Sequence, residues 1–361
     1  MKAAVRSNLK QSIYQVCKLL GLFHIARRLT RRGLRILCYH GFAMSDESKF
    51  CPALFIEAST FEERLRYLEK HRYNLLPLEE AYYLLAEDRL PDSAVVLTID
   101  DGYYSTVKHA QPVLLRHSFP ATVYVTSYYC VKQNPIFRLA VQYMFWKTKK
   151  EQIDLSGLGL PSTFQRASTR PEVDGERLMW EVIRFGESHL DEHGRRELAL
   201  RLGERTEVSY ETLESDRILT LMNSEEIGDL AAAGLDVQLH THRHYLPVDK
   251  TLAQREIIQN RAYLEPIVKK RLNHFCYPSG VWTKDHWPWL SELGVITATT
   301  CDVGLNYHNT APLGLKRFLD GENINAVEFE AEMSGFSELI RIGRSHLSEW
   351  FRRPFRFAFG D

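Results

Sequence analysis

Two short stretches of this chain carry side chains that could do chemistry together. "TIDDG", residues 98 to 102, sets Asp100 and Asp101 side by side ahead of Gly102, and "HTHRH", residues 240 to 244, holds His240, His242 and His244. Neutral imidazoles and carboxylates are ligands for zinc and similar divalent ions. Two His with one Asp would leave coordination positions open, the layout of a catalytic rather than a structural metal site. In such a site Asp101 could ligate the ion while Asp100 stays free to take a proton from water, so hydrolysis of an amide or an ester is the chemistry this pattern suits. Taken alone, Asp-Asp-Gly is also an ordinary turn, and a His-rich loop can merely hydrogen-bond water.

The elements around the two stretches give them a common place. Asp100 and Asp101 follow "AVVLTI", a continuous apolar run that reads as a strand buried on both faces, as in parallel sheets. His240 follows "LDVQL" in the same way, and "LRILCY" ends at His40. A further strand, "NHFCYP", runs into Tyr277, Pro278 and Gly280, with Trp282 just beyond, a loop that could wall a substrate site. In α/β architectures the C-terminal edge of the strands is where ligands and catalytic groups collect. Helices are expected in "TFEERLRYLEKH", opened by the cap Thr60, in "YSTVKHAQPVLLRHSF", and after the capping pair Asn223 and Glu226. Strands are expected at "ATVYVTS" and "GVITATT". Such alternation predicts a mostly parallel sheet, open or closed into a barrel. From about 134 to 215 the pattern turns helical, in "YMFWKTKKEQI", "GERLMWEVIRFG" and "EHGRRELALRLGERTEV", which reads as an insertion on a loop.

With 361 residues, 44% hydrophobic and 25% charged, the chain is long enough for one large α/β domain plus that insertion. Net charge is zero, yet residues 1 to 45 hold nine Lys or Arg and no Asp or Glu. Within residues 1–33, Leu9, Ile13, Val16, Leu20 and Phe23 recur at helical spacing. This predicts a basic amphipathic leader that lies either on an anionic membrane surface or on the acidic remainder of the chain. The tail, 321–361, ends in the basic and aromatic "EWFRRPFRFAFG". Six cysteines without a CxxC pair read as reduced thiols, and no signal peptide or membrane-spanning run is evident. The expected location is cytoplasmic, peripheral to the inner membrane face through its ends, and nucleic acid is not an expected partner.

At these residues the chain resembles the polysaccharide deacetylases, carbohydrate esterase family four, also called the NodB-homology domain. "TIDDG" is similar to that family's Thr-Phe-Asp-Asp-Gly motif and "HTHRH" to its His-Ser/Thr-x-x-His motif. The order of elements resembles the family's over roughly residues 35 to 130 and 217 to 320. The resemblance implies an α/β fold, a distorted (β/α) barrel of about seven parallel strands over 34–320, with the helical insertion at about 134–215. It implies a metal-dependent hydrolase of carbon-nitrogen bonds that deacetylates an N-acetylated amino sugar, polysaccharide or lipid-linked saccharide. Asp100 would be the base, and Asp101, His240 and His244 would hold a divalent metal, zinc first. Two departures shift other roles. Cys276 stands near the place of an arginine that orients the base, so Arg317 in "LKRF" is the candidate to replace it. The family's late Leu-x-His motif has no clear counterpart, which leaves the proton donor to His40, then to His308. An O-acetyl esterase, a deformylase or a non-catalytic carbohydrate-binding protein are the other readings.

Overall fold

The structure, a computed structural model, describes residues 2–160, 166–168 and 175–352. Eight parallel strands share one sheet: β1 Arg35–Tyr39, β2 Asn74–Leu75, β3 Ala94–Ile99, β4 Thr122–Val125, β5 Asp236–Leu239, β6 His274–Cys276, β7 Thr297–Thr299 and β8 Phe318–Leu319. Their order is β7-β6-β5-β4-β3-β1-β8, and the short β2 pairs with the start of β3 off this path. A parallel bridge from Thr299 to Leu315 draws β7 toward the segment that leads into β8. The seven-strand path therefore curls back on itself as a distorted barrel.

Every residue of β1 and β3 is buried, which is why neither strand shows an apolar-polar alternation. The period of two still acts inside the sheet. Leu37, Tyr39, Val95, Leu97, Ile99, Val123 and Val125 join the large cluster under the surrounding helices. Ile36, Val96, Tyr124 and Cys276 point the other way into a smaller cluster, and Cys38, Thr98 and Asp100 share their face. The barrel interior is thus apolar at its base and polar toward its C-terminal mouth.

Several local expectations are refined. The capping box of Asn223 and Glu226 opens Ser224–Ala232 as expected, and the structure adds a helix after the His-rich loop, Lys250–Val268. The helix expected to start at Thr60 begins at Ala58, with Glu57 in the cap position, and Thr60 instead donates to Glu322 Oε1 at 3.1 Å. The helix expected over 104–119 is split into a π-helical turn, Thr106–Ala110, and an α-helix, Gln111–His117. Pro112 explains the break, because it has no N–H to give to the preceding turn. The helix expected to run through Ile153 stops at Lys147, and Gln152–Asp154 pairs antiparallel with Arg166–Ser168.

Among the described residues of 137–215 are four helices, Phe137–Lys147, Gly175–His189, Glu192–Thr206 and Tyr210–Ser215. Phe137, Val141, Leu178, Val182, Leu198 and Leu202 join the main core. The segment that follows this helical layer is tied to the acidic pair's loop, because Met222 N donates to Gly102 O at 2.9 Å and Tyr103 bridges Leu221. At the other end of the sheet, helices Lys2–Leu19 and Leu22–Leu29 pack with Ala326–Met333 and Phe336–Arg352. No helix among the described residues is long and apolar enough to cross a membrane. The expected basic tail lies in part outside the described residues, which stop at Arg352.

Gly186 tests how tightly the helical layer packs. An alanine inside a helix normally gains about 1 kcal/mol over glycine. Here a Cβ at Gly186 would lie 2.4 Å from the Phe137 ring. Gly186→Ala is expected to destabilise the protein by about 1–3 kcal/mol in a denaturant melt, the overpacking cost outweighing the helix gain.

Candidate active site

The ends of β1, β3, β5 and β6 bring His40, Asp100, Asp101, His240 and Tyr277 to one mouth of the barrel, with His244 on the loop after β5. They line a cavity of about 720 Å³. Asp100 continues the inward face of β3 and its N–H donates to Tyr39 O at 2.9 Å. Arg317 meets it with both arms: Nη1 donates to Oδ1 and Nη2 to Oδ2, each at 2.7 Å. The guanidinium is fully buried and also donates to Thr300 O, Thr98 Oγ1 and Cys276 Sγ. Cys276 and Cys38 direct their thiols at Asp100 Oδ2, at 3.3 and 3.5 Å. Burial alone would raise the Asp100 pKa; the Arg317 charge outweighs it and holds the carboxyl well below the usual range. Cys276 therefore neighbours Asp100, and Arg317 supplies the charge.

Asp101 is turned away from this pair by its backbone. Its φ is 71° and that of Gly102 is 85°, a left-handed stretch in which a Cβ at Gly102 would press on Val125 at 3.0 Å. The turn aims Asp101 Oδ1 at two imidazoles, 3.3 Å from His240 Nε2 and 3.1 Å from His244 Nε2. Burial would raise the Asp101 pKa, but the facing His244 and His240 rings outweigh it and hold it well below the usual range. His244 reaches back because Thr241 and His244 both adopt positive φ, and Thr241 Oγ1 accepts the N–H of Tyr245. His242 points elsewhere, its Nδ1 2.9 Å from Ser127 Oγ.

These three side chains suit a divalent ion. Asp101 Oδ1 is a buried carboxylate oxygen without a hydrogen-bond partner. His240 Nδ1 lies 2.8 Å from Cys276 O and keeps its proton there, so displacement of the Nε2 proton by an incoming ion would leave that lone pair facing Asp101. Ligand atoms about 2.0–2.2 Å from a tetrahedral ion lie about 3.3–3.5 Å apart, close to the spacings here.

His40 Nε2 lies 3.8 Å from Asp100 Oδ2 on the cavity wall. Burial pushes its pKa down against the pull of the two carboxylates. His308 sits in an exposed turn beyond Asn306, which pairs with Leu34 at the start of β1, so it lies at the opposite end of the barrel. Of the loop after β6, Tyr277 and Ser279 reach the cavity and Pro278, Gly280 and Trp282 do not. Pro278 is buried, Gly280 sits against Cys301, and Trp282 stacks on Tyr277 and Trp287. The positive φ of Ser279 turns the chain and swaps which side chains face inward.

Other contributors were not apparent from the sequence. Asn260, fully buried, accepts from His240 N and donates to Val125 O and Ser127 Oγ, which clamps the ends of β4 and β5. Ile136, Arg138 and Leu139 bring the helical layer to the cavity wall, which Tyr128, Tyr129 and Tyr245 also line.

Removing Arg317 tests its role. Arg317→Ala leaves Asp100 buried and unpaired, which should cost about 3–5 kcal/mol of stability. The carboxyl's pKa should then rise, moving the acidic limb of the kcat/KM profile up by more than about one pH unit. An unmoved limb in folded protein would limit Arg317 to a structural part.

Against known proteins, the family model described as polysaccharide deacetylase matches residues 203–298, which hold His240, His244 and Tyr277 but not the acidic pair. YxkH of Bacillus subtilis (strain 168), whose name places it among the polysaccharide deacetylases, is 30% identical over 93 residues, 26% of this chain. That match spans 31% of the relative's length. Among solved structures, the Streptococcus pyogenes deacetylase PplD in complex with acetate aligns with a TM-score of 0.54 at 17% identity, over 83% of this chain and 98% of that one. IcaB from Ammonifex degensii aligns with a TM-score of 0.53 at 19% identity, over 84% and 97%. These two likenesses extend the shared fold across the acidic pair's half of the barrel. The chain is thus similar to the polysaccharide deacetylases over residues 203–298 and shares the fold of these two solved structures over most of its length.

Proposed function

We propose that this chain is a metal-dependent hydrolase that removes an acetyl group from an N-acetylated amino sugar carried by a polysaccharide or a lipid-linked saccharide. The observation that carries this reading is the division between two adjacent carboxylates, Asp100 clamped by Arg317 and Asp101 aimed at His240 and His244.

A divalent ion held by Asp101, His240 and His244, zinc being the best match to two nitrogens and one oxygen, would lower the pKa of water and polarise the acyl oxygen. Asp100, kept ionised by Arg317, is placed to take a proton from a water that would add to the carbonyl carbon. His40 is the lining histidine not assigned as a ligand, and its Nε2, 3.8 Å from Asp100 Oδ2, is placed to pass the proton that Asp100 takes on to the nitrogen as the C–N bond breaks. The products are acetate and a free amine. Tyr103, Tyr128, Tyr129, Tyr245 and Tyr277 line the cavity, and their rings suit the apolar faces of sugars.

Metal analysis coupled to assays separates the roles. Asp101→Ala, His240→Ala and His244→Ala should each lose both the ion and turnover. Asp100→Asn should keep the ion while kcat falls by about 10²–10⁴-fold. Full metal content in the three ligand variants would rule this assignment out. A panel of N-acetyl, O-acetyl and N-formyl sugars then fixes the bond cleaved. Release of acetate from the O-acetyl members alone would replace the amidase reading by an esterase.

A further inference from the structure

The leader helix Lys2–Leu19 is held to the body along one side only. Tyr14 packs edge-on against Phe23 and Phe336, Lys10 pairs with Glu328 at 2.8 Å, and Lys18 pairs with Glu330 at 2.5 Å. A neighbouring flank carries Leu9, Ile13, Val16 and Leu20, spaced four, three and four residues apart, each more than half exposed. This straight aliphatic stripe is about 16 Å long. Leu19, 85% exposed, flanks it, and Ile25 and Leu29 add a second exposed pair on helix Leu22–Leu29. Scattered exposed hydrophobics need no explanation, whereas seven gathered within twenty-one residues do.

The chemistry around these side chains is cationic. Arg28, Arg31 and Arg32 are exposed, and Arg31 and Arg32 share Asp92 only loosely, at 3.6 and 4.0 Å. No Asp or Glu occurs before residue 46. Apolar side chains beside exposed, loosely paired cations match a bilayer surface that presents anionic headgroups above an acyl boundary.

We infer that the two leader helices form a docking surface for anionic lipid, lying in the plane of the bilayer with Leu9, Ile13, Val16, Leu19 and Leu20 toward the acyl boundary. A second copy of the chain is a poorer occupant, because pairing stripe to stripe would bring two acid-free, basic leaders together. A protein groove is also a poorer fit. The stripe is wholly aliphatic, without the Trp, Tyr or Met that anchor most protein interfaces. The surface is separate from the barrel mouth, so it neither needs nor supports the catalytic reading.

The test uses the full chain and sedimentation with phosphatidylcholine vesicles, with and without phosphatidylglycerol. The intact protein should pellet with the anionic vesicles at low salt and be released as salt rises. Ile13→Ser/Val16→Ser/Leu20→Ser should weaken that binding by about tenfold or more, and Arg28→Ser/Arg31→Ser/Arg32→Ser should weaken it similarly and flatten its salt dependence. Both variants alter exposed side chains and should keep the wild-type circular dichroism and metal content. Absence of binding by the intact protein, or undiminished binding by the serine stripe variant, would overturn the inference. So would a wild-type dimer that the stripe variant converts to monomer, which would assign the stripe to self-association.

Discussion

The buried pair of Asp100 and Arg317 is the constraint around which the rest of the barrel is arranged. Two charges removed from water are stabilised only when nearly every donor and acceptor around them is matched. Arg317 meets this condition through Asp100, Thr98, Thr300 and Cys276, contacts that reach β3, β6 and the chain beyond β7. The backbone near it also closes the sheet: Thr300 N donates to Leu315 O, and Arg317 N to Asp302 O. The same residue thus seals the curled sheet and fixes the charge of the carboxyl beside the cavity. This coupling explains a polar barrel mouth in an otherwise apolar interior.

The second constraint is conformational. Adjacent residues in a strand point to opposite faces, so an extended Asp101 would face the surrounding helices. Its left-handed backbone, continued by Gly102, instead returns the carboxylate to the mouth, on the side of the two imidazoles. Asp100 and Asp101 end up close together but in different company, one facing a guanidinium and the other two rings. Their different environments, more than their residue type, divide the chemistry. The segment between the helical layer and helix Ser224–Ala232 supports this turn through Met222 and Leu221.

Much of this was legible because parallel strands write themselves as continuous apolar runs and the polar residues at their ends then stand out. Asp100, Asp101, His240 and His40 each follow such a run, and the structure gathers them. Arg317 could be singled out because the place near Cys276 lacked a cation. Asn260 could not, since its partners His240 and Val125 lie 20 and 135 residues away and are backbone groups without a signature. Nor could spacing tell that His308 belongs to the far end of the barrel, or that a left-handed Ser279 would turn Pro278, Gly280 and Trp282 from the cavity. Which residues lie near a strand end follows from pattern, whereas the direction each side chain takes depends on turn geometry.

The central claim, that neighbouring carboxylates hold separate jobs, is tested most directly by a crystal structure of zinc-loaded protein with anomalous diffraction at the zinc edge. The account predicts one ion about 2.0–2.2 Å from Asp101 Oδ1, His240 Nε2 and His244 Nε2. Asp100 should remain bidentate to Arg317 and outside the coordination sphere. An ion ligated by Asp100, or Asp101 left outside the coordination sphere, would contradict it.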